Sequence, residues 1–568
     1  MKNKFTKSIA LYFLLVASIS PAYSQDFAWA KHNSGVSIFE EGRAIGLDAM
    51  GNVYTAGVFG DSADLDPGAG TFMVYSMGSE DMYVQKLDAS GNFVWAFSMG
   101  SQTPDQMMDI HVSSSGDVYV TGQMTGTVDF APGAGTTYLS TTGSDDIFFA
   151  KYSSSGSLVF AKRMGGTAGD GGRSITVDMS GNIYLTGYFR TIADLDPDTS
   201  TATFTSAGSS DIFIAKYDSL GNYIWAHSIG GANGDIGQSL ALTNAGDVLV
   251  TGDFYGTTVD FDPGIGTTTL STNGFSDIFV TSFTSAGVFN WAHNIGGIVN
   301  DQGLGIACDV SGNVFVTGYF QGTSVDFDPG AGSAPLTAVA EDIFLLKFDM
   351  AGTFGWVKQI GGVNPDMAGD IAIDVSGNLY LTGSFTSVVD FDPGAGTVSL
   401  TGLGGADIFV AQYDSTGALG WARSMGASAF DEGGAIYADA AGNVYTTGYF
   451  NGTVDFNSDA GTLNFVSLGG KDAYVQKLSD LASVKNTQSP GTTVVYPNPV
   501  NDVVNIYLDK PYPSTHLSLF DISGRLIERK VELNKQQLQM NMATFPPGTY
   551  FLEIRTLSGN ANAKLNKL

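Results

Sequence analysis

Short runs in which apolar and polar residues alternate return along the chain at a fixed spacing. In the fifth copy, ACDV at 307–310 leads through Gly312-Asn313 into NVFVTGYF. DIFLLKFD follows at 342–349 and, past Gly352, FGWVKQIGG at 354–362. Period-two alternation of β-branched and aromatic residues between Gly-rich turns predicts four strands, here a to d, with tight hairpins joining a to b and c to d. The Gly-Asn or Gly-Asp dipeptide of the a–b turn starts at Gly51, Gly116, Gly181, Gly246, Gly312, Gly377 and Gly442, in steps of 65 or 66 residues. A period this regular governs the architecture before any local motif does.

Seven four-stranded antiparallel sheets repeated radially predict a seven-bladed β-propeller over residues 25–479. The chain ends test the count. Trp29 in FAWAKH precedes the first strand a and matches the d-strand position held by Trp95, Phe160, Trp225, Trp291, Trp356 and Trp421. Strand c occurs seven times, last as DAYVQKL at 472–478, with no strand d behind it. The N-terminal strand is therefore expected to complete the seventh blade, closing the ring and covering edges that would otherwise recruit other chains. An open solenoid or a row of small sandwiches leaves both orphan strands unexplained. The aromatic series on strand d reads as packing between blades, since a sugar-stacking ring would need those side chains on the rim.

Residues 480–493 lose the pattern and turn polar, as a linker does. From 494 to 568, VVYPNPVNDVVNIYL, HLSLFDISGRLIERKVEL and FPPGTYFLEIRTLSG alternate again between Pro and Gly, enough for a small β-sandwich. Residues 1–24 have the form of a secretory signal: Lys2, Lys4 and Lys7, the apolar run IALYFLLVASIS, then Ala22-Tyr23-Ser24 before Gln25. That run is short for a membrane span and nothing later approaches it, so the mature chain is expected to be exported, without a transmembrane segment. The single cysteine, Cys308, excludes an internal disulfide and reads as a small apolar residue of a repeat.

Charge sharpens the picture. The segment 25–479 carries 14 Lys and Arg against 49 Asp and Glu, a net of −35, whereas 480–568 is at +2. A body this acidic repels nucleic acid and anionic lipid and attracts cations. It also keeps an exported protein soluble, which is an equally sufficient reason for it.

Strand parity places the b–c and d–a connections on one rim. The b–c connection reads VDFDPGAGT or a close variant in each copy, and Asp at i and i+2 of an extended segment puts both carboxylates on one side. Asp64 and Asp66, Asp194 and Asp196, Asp260 and Asp262, Asp326 and Asp328, and Asp390 and Asp392 are the complete pairs. Pro-Gly then predicts a turn, and the connection is expected to fold as an extra hairpin. The d–a connection adds Asp105, Asp170, Asp235, Asp301, Asp366 and Asp431, with Glu40 as first counterpart. A further Asp opens strand c at positions 81, 146, 211, 277, 342, 407 and 472. The expectation is a rim ringed with carboxylates. Oxygen clusters suit Ca²⁺, which makes calcium the candidate cation. The competing reading is that these Asp residues cap turns by accepting backbone N–H groups, and no full D-x-D-x-D-G loop is present.

Catalysis finds little support. His111 is alone among the histidines in falling on an innermost strand, and no Ser/His/Asp set or His cluster surrounds it in the pattern. Paired carboxylates suit glycoside hydrolysis, but an enzyme departs from symmetry at one site, and these acids recur in every copy.

The pattern x-D-x-x-G-N-x-Y-x-T-G followed by D-x-F-x-x-K-Y resembles the SBBP-type β-propeller repeats, which implies the seven-bladed fold and leaves function open. Tyr496-Pro497-Asn498-Pro499, Asp521-Ile522-Ser523-Gly524-Arg525 and Pro547-Gly548-Thr549-Tyr550 resemble, in order, the motifs of the type IX secretion system (Por) C-terminal sorting domain. Tyr496, Pro497, Asn498, Pro499, Gly524, Arg525, Gly548 and Tyr550 carry that match. It implies a bacterium of the Bacteroidetes group, recognition by the type IX machinery, passage across the outer membrane, and removal of the domain with attachment to the cell surface. The combined expectation is a secreted, non-catalytic binding module with a glycan or protein ligand on the acidic rim. The alternatives are a secreted polysaccharide hydrolase or lyase, marked by one blade-breaking cluster in the central channel, and a structural surface or matrix protein.

Overall fold

A computed structural model describes residues 25–35, 39–133, 135–457, 461–479, 494–496, 500, 502–512, 515–521, 526–556 and 559–567. The leader 1–24 and the linker 480–493 lie outside the described residues. The chain divides into two compact units, Met1–Ser479 and Asp480–Leu568. Every helix or strand assigned among the described residues is a strand, and the chain is all-β, of propeller type in its first unit. Among the described residues no helix is long and apolar enough to cross a membrane.

In the first unit each repeat forms one antiparallel sheet in the order a–b–c–d, beginning with Glu40–Leu47, Val53–Phe59, Asp81–Leu87 and Phe93–Met99. The last repeat supplies a, b and c as Glu432–Ala438, Val444–Asp455 and Asn464–Ser479, and the outer position is filled from the other end of the chain by Asp26–His32. Its register runs from Asp26 opposite Ser479 to His32 opposite Tyr474. Strand a of each sheet packs against strand a of the next, and Glu432–Ala438 returns to Glu40–Leu47.

The repeat motif explains its own geometry. In D-x-x-G-N, Asp48 Oδ1 accepts the N–H of Met50 at 2.9 Å and of Asn52 at 3.0 Å, while its Oδ2 accepts the Asn52 side-chain amide at 2.7 Å. This Asx turn pins the hairpin, and Gly51 at φ +77° supplies the left-handed residue. In the T-G of strand b, the Thr hydroxyl donates across to strand c, as from Thr317 to the Phe344 carbonyl at 2.8 Å. The glycine permits close approach: a Cβ at Gly318 would lie 2.0 Å from the Gln302 carbonyl oxygen of strand a.

The core lies between successive sheets rather than within one. Ile147, Phe149 and Met164 of the second sheet are fully buried with Ile183, Leu185 and Phe213 of the third. The d-strand aromatics take part in this, as expected: Trp95 Nε1 donates to the Ser154 carbonyl at 3.2 Å and Trp291 Nε1 to Met350 at 3.3 Å, each in the c–d turn of the following sheet. Cys308 is a free thiol whose Sγ meets the Leu242 carbonyl of the preceding sheet at 3.1 Å.

The second unit holds two antiparallel sheets, one of Val494–Tyr496, Val503–Tyr512 and Lys535–Asn541, the other of Leu526–Glu532, Thr515–Asp521, Gly548–Thr556 and Gly559–Lys567. They share one core, including Ile506, Leu538, Leu517 and Leu552. Tyr496 lies on a strand. Tyr550 is buried and donates its hydroxyl to the Pro546 carbonyl at 2.8 Å, and Gly548 begins the strand that carries it. Pro497, Asn498, Pro499, Gly524 and Arg525 lie outside the described residues.

Candidate functional site

The b–c connection forms the expected hairpin. It is a separate pair of strands in Ser62–Asp64 with Met73–Tyr75, and a continuation of b and c in Val118–Asp129 with Tyr138–Tyr152. Its Val and Phe positions face inward: Val259 and Phe261 are buried, and Phe261 meets Phe254 of strand b edge-on at 5.2 Å. Both Asp residues of a pair therefore face outward, as period two requires.

Their oxygens are engaged in the turn. Asp64 Oδ1 accepts the N–H of Asp66 at 3.1 Å and of Phe72 at 2.7 Å, and Asp66 Oδ1 accepts that of Gly68 at 2.9 Å. Asp260 with Asp262, Asp326 with Asp328 and Asp390 with Asp392 repeat this pattern, at 2.7–3.1 Å. Asp194 accepts the N–H of Asp196 and Ala202, and Asp196 that of Asp198. Among the described residues no three His, Cys, Asp or Glu side chains gather as metal ligands.

The other two acid series do not ring an exposed rim, contrary to the sequence expectation. Asp105 is fully buried and staples two segments, accepting the N–H of Ser101 on Oδ2 at 2.6 Å and that of Thr125, on the long strand Val118–Asp129, on Oδ1 at 2.7 Å. Asp170, Asp235, Asp301, Asp366 and Asp431 are equally buried and make the same two bonds. Asp81, opening strand c, accepts the N–H of Met77 at 2.8 Å on Oδ2, whereas its Oδ1 is buried without a partner; Asp146, Asp277, Asp342 and Asp407 share that orphan oxygen. The two series meet: a Cβ at Gly165 would lie 2.6 Å from Asp146 Oδ1 and 2.8 Å from Asp170 Oδ2. Burial pushes Asp105, Asp170, Asp235 and Asp366 up to about 7, against the backbone N–H groups they accept, and the neighbouring Asp of strand c adds repulsion. Glu40, at the start of the first sheet's strand a and near Asp472 of the last sheet, is pushed up to about 9 by burial, with repulsion from Asp472 added.

A different set of residues breaks the repeat. Strand a carries a β-bulge in every sheet, where the register skips Arg43, Met108, Arg173, Gln238, Leu304, Gly369 and Gly434 in turn. A bulge turns an extra side chain out of the pleat, and these seven border a cavity of about 270 Å³ enclosed by the innermost strands. On strand b, the residue after the glycine of the T-G or, in the first sheet, A-G pair is Val58, Gln123, Tyr188, Asp253, Tyr319, Ser384 or Tyr449, opposite the start of strand a. The sequence reading missed both series, although the varying letter after the strand-b glycine, inside a T-G-x-F kept by five of the seven copies, was the signal available.

This mouth is polar and tightly braced on one side. Arg43 binds Glu41 through Nε at 3.2 Å and Nη2 at 3.0 Å, Lys471 reaches Glu41 at 2.8 Å, and Lys471 lies 3.7 Å from the ring centre of Tyr449, whose hydroxyl donates to Glu432 at 2.9 Å. Toward the other end of the innermost strands, His111 Nδ1 meets the Thr176 hydroxyl at 3.3 Å, and burial pushes the imidazole down to about 4, so it is neutral at ordinary pH.

Residues 494–567 match the family described as the secretion system C-terminal sorting domain, and residues 355–384 match the β-propeller repeat. The chain is similar to the uncharacterized WD repeat-containing protein L264 of Acanthamoeba polyphaga mimivirus, 24% identical over 444 residues, covering 65% of this chain and 32% of the relative. It is also similar to the regulatory protein FlaEY of Caulobacter vibrioides, 26% identical over 363 residues, covering 60% and 35%. It thus spans about a third of the length of these relatives. Solved chains that align include a fungal alcohol oxidase of the AA5 family in complex with copper, with a TM-score of 0.39, 11% identity and coverage of 95% of this chain and 99% of that one. A chain of the mitotic checkpoint complex aligns with a TM-score of 0.38, 10% identity and coverage of 78% and 95%. Scores of this size carry no argument.

Proposed function

We propose that this chain, which carries a β-propeller repeat and a secretion-system C-terminal sorting domain, is an exported, non-catalytic binding module whose ligand contacts the mouth of the central channel. The sorting domain marks it for the type IX secretion machinery and for the cell surface or the medium. In this reading the seven sheets close into a seven-bladed ring, supported by the pairing of Asp26–His32 with the last repeat, and the second unit is a β-sandwich. The observation that carries the reading is a contrast. Turn Asp, T-G, d-strand aromatic and buried acid recur from sheet to sheet, while the bulge position and the position after the strand-b glycine each hold five residue types among the seven sheets. Framework positions repeat because the ring needs them, and positions free of that duty are where recognition resides.

The VDFDP carboxylates act here as turn caps, since one oxygen of each Asp in the pairs is committed to backbone N–H groups. A bound calcium would raise Tm with its concentration, so calcium and EDTA are expected to give the same Tm within about 1 °C. A calcium-dependent rise would restore Asp64, Asp66 and their equivalents as ligands. The binding reading itself is tested by retention on a panel of insoluble polysaccharides and surface proteins. Retention without released product supports it, and product release sinks it.

A further inference from the structure

The channel cavity is lopsided. Four successive sheets present Arg43, Met108, Arg173 and Gln238 at the bulge, and two of the remaining three present Gly369 and Gly434, so long side chains on one wall face glycines on the other. Asp109 and Asp370 also line the cavity, with their carboxyl oxygens accepting backbone N–H groups. The two arginines flank Met108 and each reaches its sulfur at 3.6 Å. They differ in charge balance. Arg43 is neutralised by Glu41 at 3.0 Å and Glu80 at 3.6 Å. Among the described residues Arg173 has no such ion pair. Its Nε is buried without an acceptor, and the Nη1 contact to Met108 offers only a weakly accepting thioether. Its guanidinium is held 5.4 Å from the centre of the Tyr188 ring, which fixes its orientation. Asp253 acts on it through space, while Asp253 itself accepts from Gln238 Nε2 at 3.1 Å. A half-buried, uncompensated cation is costly to maintain, and it stands out all the more in a unit of net charge −35.

Resting on the channel-mouth reading above, we infer that Arg173 is the anchor for a small carboxylate, of the size of one sugar acid, that enters the cavity between the arginine wall and Gly369 and Gly434. A planar fork of N–H donors suits a carboxylate, and the orphaned donor and unpaired charge are both answered by the same group. The size follows from about 270 Å³ of space, too little for a chain of sugars and enough for one terminal residue.

The test titrates the full exported protein with glucuronate, glucose and inorganic phosphate by calorimetry, with Tm as a second readout. Glucuronate is expected to bind and raise Tm, whereas glucose at the same concentration does neither and phosphate binds at least tenfold more weakly. Arg173→Met is expected to weaken glucuronate binding at least tenfold with little change in ligand-free Tm, and Arg173→Lys to fall between. Should Arg173→Met not fold, the comparison of glucuronate with glucose on the unaltered protein decides. Absence of glucuronate binding, equal response to glucose or phosphate, or undiminished binding by Arg173→Met overturns the inference. Retention of a neutral polysaccharide by a protein that ignores glucuronate overturns this inference alone and leaves the binding reading standing.

Discussion

The propeller unit is expected to lose stability as pH rises from 5 to 8, the opposite of ordinary acid denaturation. In six sheets a fully buried Asp of the d–a connection sits beside the Asp that opens strand c, and four of the former are pushed up to about 7 by burial. A carboxyl whose folded pKa exceeds its unfolded one holds its proton in the native state over the window between them. The native state then binds more protons than the unfolded chain, and stability falls as pH climbs from about 4 through about 7. The carboxyls of the hairpin turns, such as Asp48, Asp88, Asp178 and Asp218, are held below their usual range, mainly by N–H groups that outweigh their burial, and their contribution is lost only as pH falls below about 4. The two windows do not overlap, and repulsion within the acidic body acts in the same direction as the buried pairs. Tm at pH 8 is expected to lie below Tm at pH 5 by about 5 °C or more, at roughly 2 °C per kcal/mol for a large unit. Asp81→Asn separates the pair from general repulsion. The amide keeps an acceptor for Met77 N–H and puts a neutral N–H donor where the unpartnered Oδ1 stood, removing the repulsion on Asp105, so this variant should raise Tm at pH 8 and flatten the slope. A Tm that rises with pH over this range would contradict the account.

Removing residues 25–35 is expected to have a larger effect still. Asp26–His32 is the outer strand of the last sheet, and the chain then passes directly into the first blade's hairpin, where Gly35 pairs with Ala63. Asn33 joins the two, its N–H donating to the Ala473 carbonyl at 2.9 Å and its Oδ1 accepting from Gln85 Nε2 at 2.8 Å. Trp29 covers Gly91 of the first sheet's c–d turn, and His32 packs 4.4 Å from the Phe465 ring. Without this segment Asn464–Ser479 becomes a long edge strand beside an open seam, and edge strands of that kind recruit other chains. The truncated protein is expected to run as aggregates in gel filtration and to lose its cooperative thermal transition. Adding the peptide 25–35 should restore part of the monomer. A truncated protein that stays monomeric with unchanged Tm would show that the seam does not depend on this strand.

Much of this was legible in the residues because the repeat imposes it. The 65-residue period located the strands, Trp29 identified the stray outer strand, and the V-D-F-D alternation placed both carboxylates on one side of a hairpin. The buried acids were not legible. Asp105 looks like a loop residue from its neighbours, and only the approach of Ser101 and Thr125 from either side shows that it is a staple inside the protein. The bulge was hidden for a related reason. A skipped residue such as Arg173 leaves alternation intact on either side of it, so the letters alone assign it to the pleat when the backbone turns it into the channel. What escapes sequence reading here is pairing between separate segments, on which burial depends and local pattern does not.

The central claim is that the ring is a framework and the channel mouth is what recognises a ligand. The most direct measurement is retention of the full protein on the polysaccharide and surface-protein panel, beside a variant carrying Tyr319→Ala and Arg173→Met, with the soluble fraction analysed for products. The account predicts retention on at least one surface, loss of that retention in the variant at unchanged Tm, and no product. Release of product, or retention that the mouth substitutions leave intact, would contradict it.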